Sequence, residues 1–391
     1  MTEVNEARKI ILDNCTTTAV DEMPLLSATG FVLAEPVYSA IDTPPFDQSA
    51  MDGFAFSFDK WDKKSALKVV GEERAGDDSG ILVKQQEAVR IFTGAPLPHG
   101  ADTVVMQEKV SDADGGILIE DAAIAKGSNV RPKASQTKMH RIALPAGHYL
   151  SPASIAFLAG IGTEKVKVYS HPKISIIVTG SELTPPGTPL EKGKIYESNS
   201  FGLAAALHRL HIQPAAILTT RDDREEIREA IQSQLDSDII LLSAGISVGD
   251  YDFVAGALED CGVKKIFHKV KQKPGKPLYF GRYRNSLVFG LPGNPASALT
   301  CFYEYVQDAI LCSCKKETGR KIVLPLLNDY TKRKGLTYFL KGKIANGGVE
   351  ILKHQESYLM NSFAEADCLV ELEEGKENFQ KGEPVKVRMI V

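Results

Sequence analysis

The sequence predicts a multidomain α/β plus β protein built on a central doubly wound, mostly parallel sheet. Three observations predict it. From 173 to about 311, short apolar runs alternate with helical periods, the pattern of strands buried on both faces with crossover helices between them. From about 54 to 130 the runs are shorter and separated by Gly- and Asp-rich turns, as in a small β domain. After Pro325 strand patterns return with Gly-Gly and Glu-Gly-Lys turns, giving a small C-terminal barrel or sandwich.

Length and composition agree. A chain of 391 residues exceeds one ordinary core. Apolar content of 43% with 25% charged residues is that of a soluble globular protein. A net charge of -4 leaves no basic footprint for nucleic acid, and no apolar run is long enough to span a bilayer. The acidic, amphipathic start lacks the basic and apolar regions of a signal peptide, and the six cysteines form no Cys-x-x-Cys pair. A cytoplasmic protein with reduced thiols is expected, without structural zinc. His208 and His211 lie three apart on a helical stretch with no carboxylate motif, and read as surface or packing residues.

Taken in order, Val4, Ala7, Ile11 and Cys15 predict an opening amphipathic helix. Pro36, Pro44 and Pro45 break the next region into extended segments. Strands follow at Val69-Val70, Ala88–Phe92, Thr103–Gln107 and Gly116–Ile119. The loop Arg90–Asp102 is punctuated by Gly and Pro and long enough to carry function. Ser151-Pro152 caps a short helix closed by Gly160, and the strand Val166–Tyr169 leads into a linker at Ser170-His-Pro. Strands Ile174–Val178, Ala215–Thr219, Ile239–Leu242, Lys265–Val270 and Leu287–Leu291 then alternate with helices. Ser198 or Asn199 caps the first of these helices, and Asp223 with Glu226 forms a capping box for Ile227–Leu235. A third helix begins near Asp252 and stops at Gly262. Asn294 as cap and Pro295 as first residue open a helix to about Leu311. The last strands are Tyr338–Ile344, Gly348–Leu352, Cys368–Leu372 and Val385–Ile390.

In open α/β sheets ligands bind beyond the carboxyl ends of the strands. Every polar cluster of the 173–311 region falls at such an end. Ser243, Gly245, Ser247 and Gly249 follow a buried strand and precede a helix, a geometry that offers backbone N–H groups to a phosphate. Glycines also occur in such loops merely to turn, and the two readings stand level. Glu182, Asp222 and Asp252 are hard oxygen ligands suited to Mg²⁺, while Lys269, Lys273 and Lys276 are point charges for phosphate or another oxyanion. Together they suggest metal-assisted cleavage or transfer at a phosphoanhydride. Blander readings remain open for each. Asp222 and Asp223 serve equally as helix caps, Glu182 as a first-turn acid and Lys271–Lys276 as a solvated loop. Pro292 and Pro295 are explained by turn chemistry and helix initiation.

Six motifs occur in one order: Met51-Asp-Gly-Phe-Ala55, Phe92-Thr-Gly-Ala-Pro96, Thr179-Gly-Ser-Glu-Leu183, Ser247-Val-Gly-Asp-Tyr-Asp252, Lys273-Pro-Gly-Lys-Pro277 and Leu291-Pro-Gly-Asn-Pro295. As an ordered set they resemble the molybdopterin molybdenumtransferase family, to which the C-terminal part of gephyrin is related. The resemblance implies that adenylylated molybdopterin and molybdate are substrates, that Mg²⁺ is the cofactor, and that AMP is released as molybdenum cofactor forms. It implies a homodimer whose active site is shared between subunits, the sheet domain of one facing the small β domain of the other, with other molybdenum cofactor biosynthesis proteins as further partners. It also implies four domains. A discontinuous N-terminal domain comprises 1–26, 40–50 and 131–170, and an inserted small β domain comprises 51–130 with a contribution from 27–39. The molybdopterin-binding α/β domain covers 171–318, and a C-terminal β-barrel covers 319–391. Carried over by motif, Glu182, Asp222 and Asp252 hold the metal. Ser243, Gly245, Ser247 and Gly249 cradle phosphates, Lys269, Lys273 and Lys276 with Pro292 and Pro295 line the anion and pterin side, and Asp52 and Thr93 enter from the partner subunit. Lys341 and Ser357 are implied on the substrate side in the C-terminal domain.

The sequence departs from the family pattern in places. Ser243-Ala244-Gly245 replaces Ser-Gly-Gly, Ser181 replaces an Asp, and Pro132–Lys138 replaces a Gly-Glu-Asp segment. Leu336 and Lys341 each stand where an Arg is common, the second at a position associated with molybdate, and Glu356 replaces a Gly. A point charge in place of a bidentate fork, next to an added carboxylate, predicts weakened molybdate affinity. Two other readings follow from the same residues: a non-catalytic gephyrin-like scaffold, or a nucleotide pyrophosphatase on the same sheet.

Overall fold

The computed structural model describes residues 1–77, 79–243 and 253–391. The chain forms two compact units, one of Met1–Val20 with Tyr169–Val391 and one of Asp21–Val168. Gly245, Ser247, Gly249, Asp250 and Asp252 lie outside the described residues.

The larger unit contains the predicted sheet. Its strands are β1 (Ile174–Thr179), β2 (Ala216–Thr220), β3 (Ile239–Ser243), β4 (Lys264–His268), β5 (Tyr279–Tyr283) and β6 (Ser286–Leu291), in the spatial order β2-β1-β3-β6-β5-β4. The pairs β1–β2, β1–β3 and β3–β6 are parallel, whereas β5 runs antiparallel to both β6 and β4. All six residues of β1, all five of β3 and all six of β6 are buried, which is why these runs carry no alternation in the sequence. Strand β5 is absent from the sequence reading. Its two-residue connection to β6, Arg284-Asn285, lacks glycine, so the usual hairpin signal is missing.

Helices cover both faces of the sheet. One face buries Ile174, Ile176 and Val178 against Leu203, Phe280, Phe289 and Phe302, and the other buries Ile177, Ile240 and Leu242 against Ile227, Ile231, Val254 and Leu258. Helix α1 (Val4–Asp13), which the sequence reading groups with 131–170, puts Val4, Ala7 and Ile11 into the first of these cores. Two expected caps differ in detail. Ser198 occupies the cap position of α2 (Asn199–His208) without using its side chain, and the buried Glu197 carboxylate instead accepts from the Ser200 N–H (2.8 Å) and hydroxyl (2.5 Å). Asp223 caps α3 (Arg224–Ser233) by accepting from the N–H groups of Glu225 and Glu226, both at 3.0 Å. Glu226 does not close the box: it reaches the Arg221 N–H and guanidinium, a stronger charged partner.

The last long helical stretch opens at Pro295–Cys301, passes through a π-helical turn at Phe302–Val306 and continues over Gln307–Ser313. The C-terminal β domain follows. Thr337–Ala345, Cys368–Leu372, Pro384–Met389 and Ile322–Pro325 pair in that order, with Gly348–Ile351 on the other side of the long strand. Gln272–Lys273 from the sheet domain adds in parallel to Thr337 and Tyr338.

A buried charge network fills the junction. Arg8 of α1 donates to Glu304 (2.5 Å) in the π-turn and to Glu371 (2.9 Å) in the C-terminal sheet. Lys321 joins both carboxylates, and Arg388 pairs with Asp308 (2.8 Å) and Glu304 (3.3 Å). Burial alone would raise the Glu371 carboxyl, but Arg8 and Lys321 hold it down to about 2. A depressed carboxylate stabilises the fold above the unfolded pKa, and this stabilisation is lost as pH falls through the folded one. Acid scans of thermal stability are therefore expected to show Glu371→Gln losing less than the wild-type chain between roughly pH 4.5 and 2. Parallel curves would show that Glu371 does not carry this linkage.

The smaller unit contains a six-stranded sheet in the order Thr103–Met106, Gly53–Phe56, Glu87–Ile91, Leu67–Glu73, Gly116–Ile119 and Val110–Ala113. A separate core of Leu25, Leu33, Leu150, Leu158 and Val168 is formed around helix Pro152–Gly160 and the paired strands Val20–Pro24 and Lys165–Tyr169. Ser151 caps that helix at 3.2 Å with Pro152 in its first turn, as the sequence indicates.

Candidate functional site

Two cavities meet at the carboxyl edge of the parallel strands. One, of about 620 Å³, lies between the Lys273–Pro277 loop and the C-terminal domain, with Asn294, Tyr338, Glu356, Ser357 and Tyr358 among its walls. The other, of about 580 Å³, lies beside Glu182, Tyr196, Asn199 and Pro295. They share Pro277, Pro292, Asn294 and Tyr358, so they form one cleft.

The lysine loop is held from below. Gln272 is fully buried, and its amide donates to the carbonyls of Pro274 (3.1 Å) and Gly275 (3.0 Å) while its oxygen accepts from the Tyr305 hydroxyl. Gly275 has φ +80°, and a Cβ there would sit 2.5 Å from the Cys301 sulfur, so only glycine fits. The Lys273–Pro274 peptide is cis. This braced turn leaves Lys273 and Lys276 exposed on the cavity, with the Lys273 ammonium 5.4 Å from the Tyr338 ring centre. Lys269 follows β4 directly with φ +75°, and it is not among the residues lining either cavity.

At the ends of β1 and β2 the two aspartates divide the roles that the sequence left open. Asp223 caps α3. Asp222 accepts from the Thr179 hydroxyl (2.7 Å) and the Ser181 N–H (3.2 Å), and so ties the two strand ends together. Glu182 projects from no helix, because Leu183–Thr184 is a short strand paired with Ile195–Tyr196. It is exposed and lines the second cavity. Ser243 is buried, and its hydroxyl accepts from Asn199 (2.8 Å), whose amide also reaches the Gly293 carbonyl (2.8 Å). Pro292 and Pro295 both line the cleft, and Asn294 does not cap the helix it precedes. Its side chain crosses to the Ser357 hydroxyl at 2.9 Å.

Residues 2–162 match the MoeA N-terminal region (domain I and II), 175–311 a probable molybdopterin binding domain, and 323–390 the MoeA C-terminal region (domain IV). A molybdopterin molybdenumtransferase of Haemophilus influenzae is 33% identical over 99% of this chain and 98% of its own length. One from Staphylococcus aureus is 31% identical over 98% and 94%. A crystal structure titled molybdopterin biosynthesis moeA protein from Pyrococcus horikoshii OT3 superposes with a TM-score of 0.85 at 28% identity, covering 100% of both chains.

The chain belongs to the molybdopterin molybdenumtransferase family. It is an enzyme of molybdenum cofactor biosynthesis with the multidomain MoeA-like structure.

Within this molybdenumtransferase fold the cleft gathers Glu182, Lys273, Lys276, Pro292, Pro295 and Ser357. Asp222 and Ser243 are not among the residues lining it, and their side chains are taken by Thr179 and Ser181 and by Asn199. In the smaller unit, Asp52 accepts from both the N–H and the hydroxyl of Thr93 at 2.8 Å, and these bonds hold its carboxyl below the usual range. Lys341 differs most from expectation. It is 4% exposed, is not among the cavity-lining residues, and gives its ammonium to the carbonyls of His354 (2.8 Å), Leu359 (3.2 Å) and Glu356 (3.3 Å). The stem runs inward because Lys341 lies in the middle of the long strand, where the loop folds back over it. Gln272, Asn199 and Asn294 were not read as site residues. Asn199 and Asn294 read only as candidate helix caps, and Gln272 carries no signal beyond standing beside the lysine motif.

Among the described residues no three His, Cys, Asp or Glu side chains come together as a metal-binding group. Glu182 on the cavity wall, with Glu197 and Asp222 occupied by hydrogen bonds, fits a Mg²⁺ ion held chiefly by water and substrate phosphate oxygens. No helix among the described residues is long and apolar enough to cross a membrane.

Proposed function

We propose that this enzyme inserts molybdate into adenylylated molybdopterin with the help of Mg²⁺, releasing AMP, and that it works in the cytoplasm as a homodimer with a shared active site. The observation that carries this reading is the single cleft with Lys273 and Lys276 at one end and Glu182 at the other. Both substrates are anions, and preorganised ammonium groups at the edge of a parallel sheet stabilise charge that develops when an anhydride breaks. Lys273 and Lys276 hold the phosphate and molybdate oxygens. Asn294 and Ser357 orient them by hydrogen bonds, and Tyr338 and Tyr358 offer ring faces to the pterin. Glu182, with Asp252 of the motif that follows β3, would hold Mg²⁺, which supplies neutralisation of the phosphate charge. In that homodimer Asp52 with Thr93 would enter from the partner subunit and complete the set of polar groups. Water attacks the phosphoanhydride, freeing AMP and leaving the phosphate on molybdopterin. The two dithiolene sulfurs displace oxygen from molybdate, and that oxygen leaves as water with the thiol protons, with no change in the oxidation state of molybdenum.

The test is AMP release from adenylylated molybdopterin with Mg²⁺, with and without molybdate, beside an assay for active molybdenum cofactor. Molybdate-dependent AMP and cofactor together are expected. Release of AMP that ignores molybdate, with equal turnover of other nucleotide anhydrides, would replace this reading by a pyrophosphatase. Absence of AMP release would replace it by a scaffold.

A further inference from the structure

The C-terminal wall of the cleft is the loop 354–359, and it is fastened on two sides. Toward the sheet domain, the Ser357 hydroxyl accepts from Asn294 (2.9 Å) and the Ser357 carbonyl accepts from the Ala296 N–H (3.2 Å). On the other side the bonds converge on Lys341. Its ammonium takes three loop carbonyls, as above, and its N–H donates to the Gln355 side-chain oxygen (2.9 Å). Its carbonyl accepts from the Gln355 amide (2.9 Å) and the Leu352 N–H (3.0 Å). His354 turns the chain with φ +62°, a conformation that a non-glycine residue keeps only when its surroundings impose it.

We propose that Lys341 is a positioning residue: its buried ammonium clamps the 354–359 loop and so sets Ser357 in the cleft, instead of meeting the molybdate anion itself. An ammonium has three protons, and three carbonyls take them all. A buried charge is costly unless it is fully hydrogen-bonded, and these carbonyls meet that need inside the fold. Burial pushes the Lys341 ammonium toward its neutral form, while the nearby Glu356 carboxylate favours the charged one. The anion is then met by Lys273, Lys276 and Ser357. This rests on the transferase reading for its kinetic consequences, but the clamp itself does not need turnover to be seen.

The experiment uses the full chain with Lys341→Met, Lys341→Arg, Ser357→Ala and the Lys341→Met/Ser357→Ala double variant. Hydrogen exchange is measured without substrates, and KM for molybdate with them. In Lys341→Met the amides of Ala296 and Leu359 are expected to exchange at least about tenfold faster, with strand 348–351 unchanged. KM for molybdate rises about tenfold with kcat within about threefold. Ser357→Ala raises KM similarly, and the double variant is no worse than the poorer single. Unchanged loop exchange in the Met variant, or additive losses in the double, would overturn the clamp. Lys341→Arg keeps the buried charge and carries the test even where the Met variant fails to fold. Its donors remain taken by carbonyls, so KM stays within about twofold. A several-fold lower KM with Arg, whose planar fork suits an oxyanion, would show direct contact and overturn the proposal. A wild-type chain without activity but with the expected exchange pattern would sink the transferase reading and leave the clamp standing.

Discussion

Replacing Glu304 by Gln is expected to destabilise the larger unit by about 3–5 kcal/mol. Glu304 is fully buried and faces three cations, Arg8, Lys321 and Arg388. Glu371 and Asp308 supply two further negative charges, so the six groups balance. Removing one carboxylate leaves a buried excess of one positive charge that solvent reaches poorly. Arg8, Lys321 and Arg388 side chains are 16%, 12% and 4% exposed, so water cannot replace the lost partner cheaply. The effect should also be spatially specific. The network joins α1, the π-turn and the C-terminal sheet, so thermal unfolding of Glu304→Gln is expected to begin with release of the C-terminal domain. Hydrogen exchange at Cys368–Leu372 and Pro384–Met389 would rise before that at β1 and β3. As a control, Lys9→Ala removes an exposed i,i+4 pair with Asp13 and should cost no more than about 0.5 kcal/mol. A Glu304→Gln loss as small as that of Lys9→Ala would mean that the network is not an interdomain latch.

The contrast between these two ion pairs also marks what a sequence reveals. Lys9 and Asp13 are neighbours by helical spacing and can be paired on paper. Arg8 and Glu304 are separated by almost three hundred positions, and nothing local in Tyr-Glu-Tyr says that the glutamate turns inward. The sheet was legible for the opposite reason. Runs such as Ile239–Leu242 are apolar throughout, and burial on both faces is their simplest physical cause. Asp223 was legible because capping is a local bond from a side chain to the N–H groups two and three residues on. The site was legible as a set of motifs at strand ends, where an open α/β sheet has to bind its ligand. Individual roles were not. Asp222 and Asp223 look alike in sequence, yet one caps a helix and the other spans two strands. Lys341 reads as a free cation because spacing cannot show three carbonyls folding back over one side chain. Ser198 and Asn294 stand at cap positions, but the neighbouring Glu197 does the capping in the first case and the distant Ser357 claims the side chain in the second. Hydrogen bonds between segments apart in sequence, invisible to periodicity, decided the cases of Asp222, Lys341 and Asn294.

Lys273 should show the largest catalytic effect among residues of the cleft. Lys273→Met is expected to lower kcat/KM for molybdate-dependent AMP release by about 10²–10³, the loss typical of one preorganised donor at developing charge. Fold stability should barely change. The side chain is exposed, and its ring contact with Tyr338 is of the kind worth about 0.5–1 kcal/mol at an exposed site. The backbone that places it does not depend on the lysine: Gln272 and Gly275 hold the turn from below, and strand pairing with Thr337 and Tyr338 holds it from the side. Lys271 provides the internal comparison. It lies two residues earlier, carries the same charge, and is paired with Glu3 away from the cleft. A general loss of positive field would affect both variants alike, because both remove one charge from one loop. A loss confined to Lys273→Met, with Lys271→Met within about twofold of wild type, would mean that position and not net charge carries the effect. Equal losses in the two variants would remove Lys273 from the reacting centre and leave it as one charge in a steering field. Raising the salt concentration separates these cases further, since steering by exposed charges falls with ionic strength while a donor inside a cleft is screened much less.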